Sequence, residues 1–362
     1  MSRSQYGWMA AFWAGAALGG ACGDPVTRPE AIECGDLDPG YLADGGVGRD
    51  GIPALTNPDF VPIDDEERTG YLSAESRVIG VEIDGGWLAI PHNVMYRHEI
   101  VNLNRDDTQI AVTYCPLTGS ALTFDRELVD DAGFGVSGLL YRANLIMYDR
   151  NTDDSLWPQM AGEAACGPKD GVALARRPVV EMTWAGWKEL FSGSEVVGIE
   201  PAESFIYSVN PYGVSYEDPD NPDFIGFPIP RDDVRRPPKE RVLGLPASGG
   251  QPAVAFPFLA MTEAGDFWTV GFDYAGTSAV VFWDAGRQAA VAFRPVASGR
   301  TLTFMALDDG FVDSETGSRW NVTGLATEGA LEGERLEIIA DAYVAFWQPW
   351  AAFHPGTTLF IE

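Results

Sequence analysis

The chain is short of positive charge. Its 362 residues hold 24 Lys and Arg against 53 Asp and Glu, for a formal net charge of -29. Nucleic acids and anionic lipid surfaces are held by Lys and Arg that neutralise phosphate, so both are excluded as direct partners. Such acidity keeps a protein soluble, and it leaves room for saline surroundings or a cationic partner. Histidine and cysteine are scarce as well, at three and four residues. Cofactor fingerprints, phosphate loops, nucleophile elbows and spaced metal-ligand clusters are all missing. So is any long hydrophobic run, because the apolar stretch from Trp8 to Ala21 is too short to cross a bilayer.

That stretch follows a lone Arg3 and reads instead as a secretory signal over residues 1–21. Leu18-Gly19-Gly20-Ala21-Cys22 looks like the cleavage box of bacterial lipoproteins, in which Cys22 takes the lipid and becomes the N-terminus. Acyl chains there tether a protein to a membrane without spanning it. An ordinary signal cut near Ala21, leaving Cys22 as a thiol, is the other reading. Residues 22–49 are acidic and weakly patterned, as suits a tether. Export sets an oxidising context for Cys34, Cys115 and Cys166. Three is an odd number, so one thiol is left over; a Cys34–Cys166 bridge would leave Cys115 free.

What the chain has in quantity is material for strands and turns: 46% hydrophobic residues, 12% aromatics, 41 Gly and 25 Pro. A mainly β (α+β) protein follows, antiparallel, with a few short helices. Val78–Ile83, an Asp84-Gly85-Gly86 turn and Trp87–Pro91 read as a hairpin. His92 to Asn102 has the periodicity of a short helix, Thr108–Cys115 returns to strand, and Met182–Phe191 reads as a second helix. Residues 201–240, dense in Pro and Asp, read as a linker.

After that linker the pattern begins again. RVLGLPASGGQPAVAFP resembles RVIGVEIDGGWLAIP, FVDSETGSRW mirrors YDRNTDDSLW, and AYVAFWQPW matches EMTWAGWKEL. The chain therefore reads as two homologous β-rich halves, 50–200 and 241–362. Features in both halves, such as Pro91 and Pro257 or the paired tryptophans, belong to architecture. Features in one half are candidates for function. His98 falls opposite Ala264 and Cys115 opposite Trp283, which puts any site in the first half.

RVIGVEIDGG, the HEIVN of 98–102, TYCPLTGSALTFDR, FGVSGLLYRANLIMYDR, DGFVDSETGSRWNVTG and FWQPWAAFHP resemble the exported bacterial and archaeal family known as domain of unknown function 3179. The resemblance spans most of residues 50–360. It implies an exported β-rich protein of the cell envelope and no established activity.

His98 and Cys115, the latter at a Pro-Gly turn, support three readings. With Met95 one helical turn before His98 they are soft ligands suited to copper or zinc. His92 is six residues away, about 120° around a helix, and does not chelate with His98. As a thiol enzyme of the envelope, Cys115 would be activated by His98, with Glu99 or Asp125 orienting the ring and Thr118 and Ser120 donating to an oxyanion. As a non-catalytic scaffold or interaction protein, the chain would simply bury both residues. Asp218, Asp220, Asn221 and Asp223 supply oxygens that suit either calcium or a solvated turn. The leading expectation is a small-ligand or transition-metal binding module that uses His98 and Cys115.

Overall fold

The computed structural model describes Cys34 and residues 37–360, apart from 106 and 154. The expected signal peptide and the lipid-bearing Cys22 lie outside the described residues. The protein is mostly β, built from antiparallel sheets and short helices. Among the described residues no helix is long and apolar enough to cross a membrane.

Alternation and turn chemistry place the first strands. Arg77–Ile83 pairs with Gly86–Pro91 across Asp84 and Gly85, whose φ values of 53° and 75° make the two-residue turn that matches strand twist. Val180–Thr183 lies on one side of this hairpin, and Glu195–Val197 runs parallel to Gly86–Pro91 on the other. The second half repeats the arrangement: Arg241–Leu245 pairs with Val254–Pro257, flanked by Tyr343–Phe346 and by the parallel Thr358–Leu359.

Each hairpin leads into a seven-residue helix behind a proline, His92–His98 after Pro91 and Phe258–Ala264 after Pro257. A meander follows in each half. Ile100–Arg105, Thr108–Cys115 and Ser120–Asp125 correspond to Phe267–Tyr274, Thr277–Asp284 and Ala289–Arg294. The tryptophans repeat in detail. Trp157 and Trp320 each donate Nε1 to an aspartate, Asp149 and Asp313, at 3.0 Å. Trp187 and Trp350 donate to Ser194 and Thr357. A Cβ on Gly80 would stand 2.1 Å from the Trp187 ring and one on Gly244 would stand 2.3 Å from Trp350, so each glycine is the floor on which a tryptophan lies.

The halves share their interior. Two apolar clusters are private, one under each hairpin helix, whereas two others draw residues from both halves. Backbone bonds cross reciprocally: Phe346 N–H to the Thr118 carbonyl at 2.9 Å and Thr183 N–H to Arg287 at 3.0 Å.

Several expectations need correction. Ordered pairing starts before Asp50, since Leu42–Asp44 pairs with Phe134–Tyr141, so the end of the expected tether is part of a sheet. The helix near Trp184 begins after Thr183, because Val180–Thr183 is a strand and the Thr183 hydroxyl caps the helix at the Gly186 N–H. The helix from His92 stops at His98, where Glu99 turns left-handed at φ 56° and Ile100 starts a strand. Residues 201–240 hold one short helix, Ser204–Ser208, yet the segment is packed down rather than free: Tyr216 donates to the Leu117 carbonyl, and buried Lys239 bonds the carbonyls of Tyr216 and Asp223. Asp218, Asn221 and Asp223 accept turn N–H groups two residues on.

Candidate functional site

His98 closes its helix with the ring buried, Nδ1 2.8 Å from the Pro53 carbonyl and Nε2 2.9 Å from the Tyr207 hydroxyl. A carbonyl only accepts, so Nδ1 carries the proton and Nε2 accepts from Tyr207. Both nitrogens are thereby occupied, and burial pushes the imidazole down to about 4. Cys115 ends its strand fully buried, its Sγ taking the Leu145 N–H at 3.3 Å and lying 3.8 Å from the Ala143 carbonyl. Burial first and the Glu99 charge second push its thiol up to about 11, the reverse of what a nucleophilic cysteine needs.

The structure does not bring these residues together as a site. No hydrogen bond links His98 to Cys115, and Met95 is packed with Val94 and Ile90 in an apolar cluster that excludes Cys115. Among the described residues no three His, Cys, Asp or Glu side chains gather as a metal-binding group. With both His98 nitrogens bonded and Met95 and Cys115 in separate clusters, these three side chains do not form a copper or zinc site in this arrangement. A Cys115–His98 dyad fails for the same reason, because the imidazole lone pair is committed to Tyr207. Glu99 does not orient the ring; burial holds its carboxyl up at about 8, and its backbone carbonyl accepts the Tyr114 N–H at 2.8 Å. Thr118 and Ser120, expected as oxyanion donors, bond each other at 2.8 Å and join Asn144 and Gln159 in a buried network. Cys34 and Cys166 are joined by a disulfide, and Cys115 is the free thiol among the described residues.

The hairpin geometry also shifts the comparison of the halves by one residue. Cys115 pairs with Ser120 and Asp284 with Ala289 across turns of equal length, so Asp284 stands at the Cys115 place and Trp283 stands opposite Tyr114. The polar residues confined to one half are then different ones. His92, Tyr114 and Glu181 are buried, where the second half has Phe258, Trp283 and Val344. The His92 Nε2 is 2.9 Å from Glu181, and the Arg77 Nε is 3.9 Å from the same oxygen. Tyr96 donates to Glu217 at 2.7 Å, and Glu217 pairs with Arg241, the counterpart of Arg77. Burial drives His92 toward the neutral form against the pull of Glu181. Arg77 Nε and Nη2, His92 Nδ1, the Tyr114 hydroxyl and Glu181 Oε1 have no hydrogen-bond partner among the described residues. A void of about 10 Å³ touches Glu181, but its other walls are mainly apolar and include none of Arg77, His92 or Tyr114.

A space large enough for a ligand lies elsewhere. A groove of about 680 Å³ runs between the halves, from the Val81–Trp87 turn region to residues 335–341. Trp87, half-buried on Phe191 at 4.7 Å, and Ile338 give it an apolar side. Thr123 lines it with a hydroxyl that is buried and unpartnered among the described residues. Arg177 is spent on Asp125 at 2.6 Å and Arg294 on the Tyr274 carbonyl at 3.1 Å, whereas the guanidinium of Arg335 is free among the described residues. Sequence reading missed this groove because its walls come from turns and strand ends far apart in the chain. The only signal was Trp87, an aromatic placed directly after a Gly-Gly turn.

The family model described as protein of unknown function (DUF3179) matches residues 49–357. The chain belongs to this family. No curated protein and no solved structure matches it. The matched DUF3179 span takes in the first half and the second as far as residue 357, and with them every residue that lines the groove.

Proposed function

We propose that this DUF3179 member is an exported, lipid-anchored binding module that holds a small organic ligand between its two halves. The groove carries the reading. Its volume falls within the usual range for small-molecule sites, about 300–1,000 Å³, and it combines an apolar side with a few polar groups. Export and anchoring rest on the N-terminal apolar run and Cys22, and the Cys34–Cys166 disulfide favours an oxidising compartment. Cys22→Ala should release the protein from the membrane fraction in its native cell.

Filling the groove tests the binding reading. Ligand-observed NMR with a fragment mixture should give hits for the wild-type protein that disappear in Ile338→Arg, a change at a half-buried position on the groove wall. Hits that persist in the variant would move the site elsewhere, and a wild-type protein without hits would remove the proposal.

A further inference from the structure

The ligand class can be taken one step further, on the reading that the groove is the binding site: we infer that it takes a small organic cation, an amine or quaternary ammonium on an apolar body. The sign follows from which charges in the groove remain free. Of its three guanidiniums, Arg177 and Arg294 already have partners within the fold. Glu82, Asp84, Glu337 and Asp341 are exposed, and their carboxylates make no hydrogen bond or ion pair among the described residues. Asp125 neutralises Arg177, whereas Arg294 is held by neutral carbonyls and keeps its charge, so four free carboxylates stand against Arg294 and Arg335 and still leave the groove net negative. The chain as a whole, at -29, adds a field of the same sign that draws cations in and repels anions.

The other two features fit the body and head of such a ligand. Trp87 is the ring type whose face attracts cations best, and the attraction needs no fixed counter-ion geometry. The Thr123 hydroxyl is buried with no partner, and an ammonium N–H would satisfy its lone pairs. A bare metal ion is a poorer occupant, since no three of these carboxylates gather as a metal-binding group among the described residues.

Three probes with one body separate charge from shape: benzylamine, benzyl alcohol and benzoate, titrated by saturation-transfer NMR. The amine should bind about tenfold more tightly than the alcohol at low salt, a difference of about 1.4 kcal/mol, with benzoate weakest. The preference should fade between about 0.01 M and 1 M salt as the Debye length shrinks from about 30 Å to 3 Å. Asp84→Asn with Asp341→Asn should remove most of the preference, and these exposed side chains make no bonds that folding needs. Trp87→Ala should weaken all three probes. Equal binding of the three, lost in Ile338→Arg, would overturn the cation class and leave the groove standing as a site. Tighter binding of benzoate would do the same. Failure of all three to bind would overturn both.

Discussion

Tyr114 and Trp283 occupy the same place in the two halves, each packed on the first residue of the hairpin helix, with ring centroids 4.1 Å apart for Tyr114 on His92 and 4.6 Å for Trp283 on Phe258. The fold requires a large ring pair there. One half builds it from apolar residues, and the other adds a hydroxyl with no partner among the described residues and an imidazole that bonds Glu181. Duplication thus works as an internal control, provided the register is right: a one-residue slip had set Trp283 against Cys115 and drawn attention to the wrong residue.

The tryptophan floors should be intolerant of a single methyl. Gly80→Ala would place a Cβ 2.1 Å from Trp187 and Gly244→Ala one at 2.3 Å from Trp350, both rings being fully buried. Each should cost about 3 kcal/mol or more in urea unfolding. Gly193→Ala, with nothing within 4 Å of the added carbon, should shift stability by less than about 1 kcal/mol. A harmless Gly80→Ala would mean the ring does not lie where described.

Cys115 should behave as a buried hydrophobe. With its thiol pushed up to about 11 and no exposed surface, alkylation of the native protein should proceed only as fast as the protein opens. Iodoacetamide labelling near neutral pH, followed by mass spectrometry with and without denaturant, measures this. Fast labelling of the folded chain would reopen the thiol-enzyme reading.

His98 and Glu99, adjacent in sequence, should limit stability from opposite sides of the pH scale. His98 titrates at about 4 folded against 6.5 unfolded, so the unfolded chain binds the extra proton and stability is lost as pH falls from 6.5 toward 4. The full effect is about 3 kcal/mol. Glu99 titrates at about 8 folded against 4.5 unfolded, so the folded chain holds the proton and stability is lost as pH rises from 4.5 toward 8, by roughly 3–5 kcal/mol. Denaturant curves across this range should show Glu99→Gln removing the alkaline loss and His98→Gln reducing the acid one. An unchanged slope in Glu99→Gln between the two values would contradict its buried protonated state.

Much of the fold was legible because strand alternation, Gly-Gly turns and tryptophan spacing are local signals, and each occurs twice. The hairpin at Asp84-Gly85 and the helix behind Pro91 can be read from a few adjacent residues. The candidate site was not legible in the same way. His98 and Cys115 were chosen by residue type, yet Pro53 and Tyr207, which occupy both nitrogens of His98, lie 45 and 109 residues away in sequence. Burial turned the cysteine inert, and burial is set by packing from both halves. The groove likewise joins Trp87 to Ile338, a separation that no window along the chain spans.

The buried polar cluster beside Tyr114 can be tested by replacing its charged and imidazole groups. Glu181 is buried between His92 and Arg77, and replacing it alone by Val, the residue at the matching place in the other half, leaves a buried guanidinium without its carboxylate. That should cost about 3–5 kcal/mol, the usual penalty for an orphaned buried charge. Adding Arg77→Met and His92→Phe removes the guanidinium and the imidazole together and should recover most of the loss, since apolar packing of similar volume often replaces a buried ion pair without penalty. Urea unfolding of the single and triple variants measures both steps. Recovery would mean the polar cluster is dispensable for folding and is kept for another purpose, whereas a triple variant as unstable as Glu181→Val would make the cluster a structural clamp between the halves.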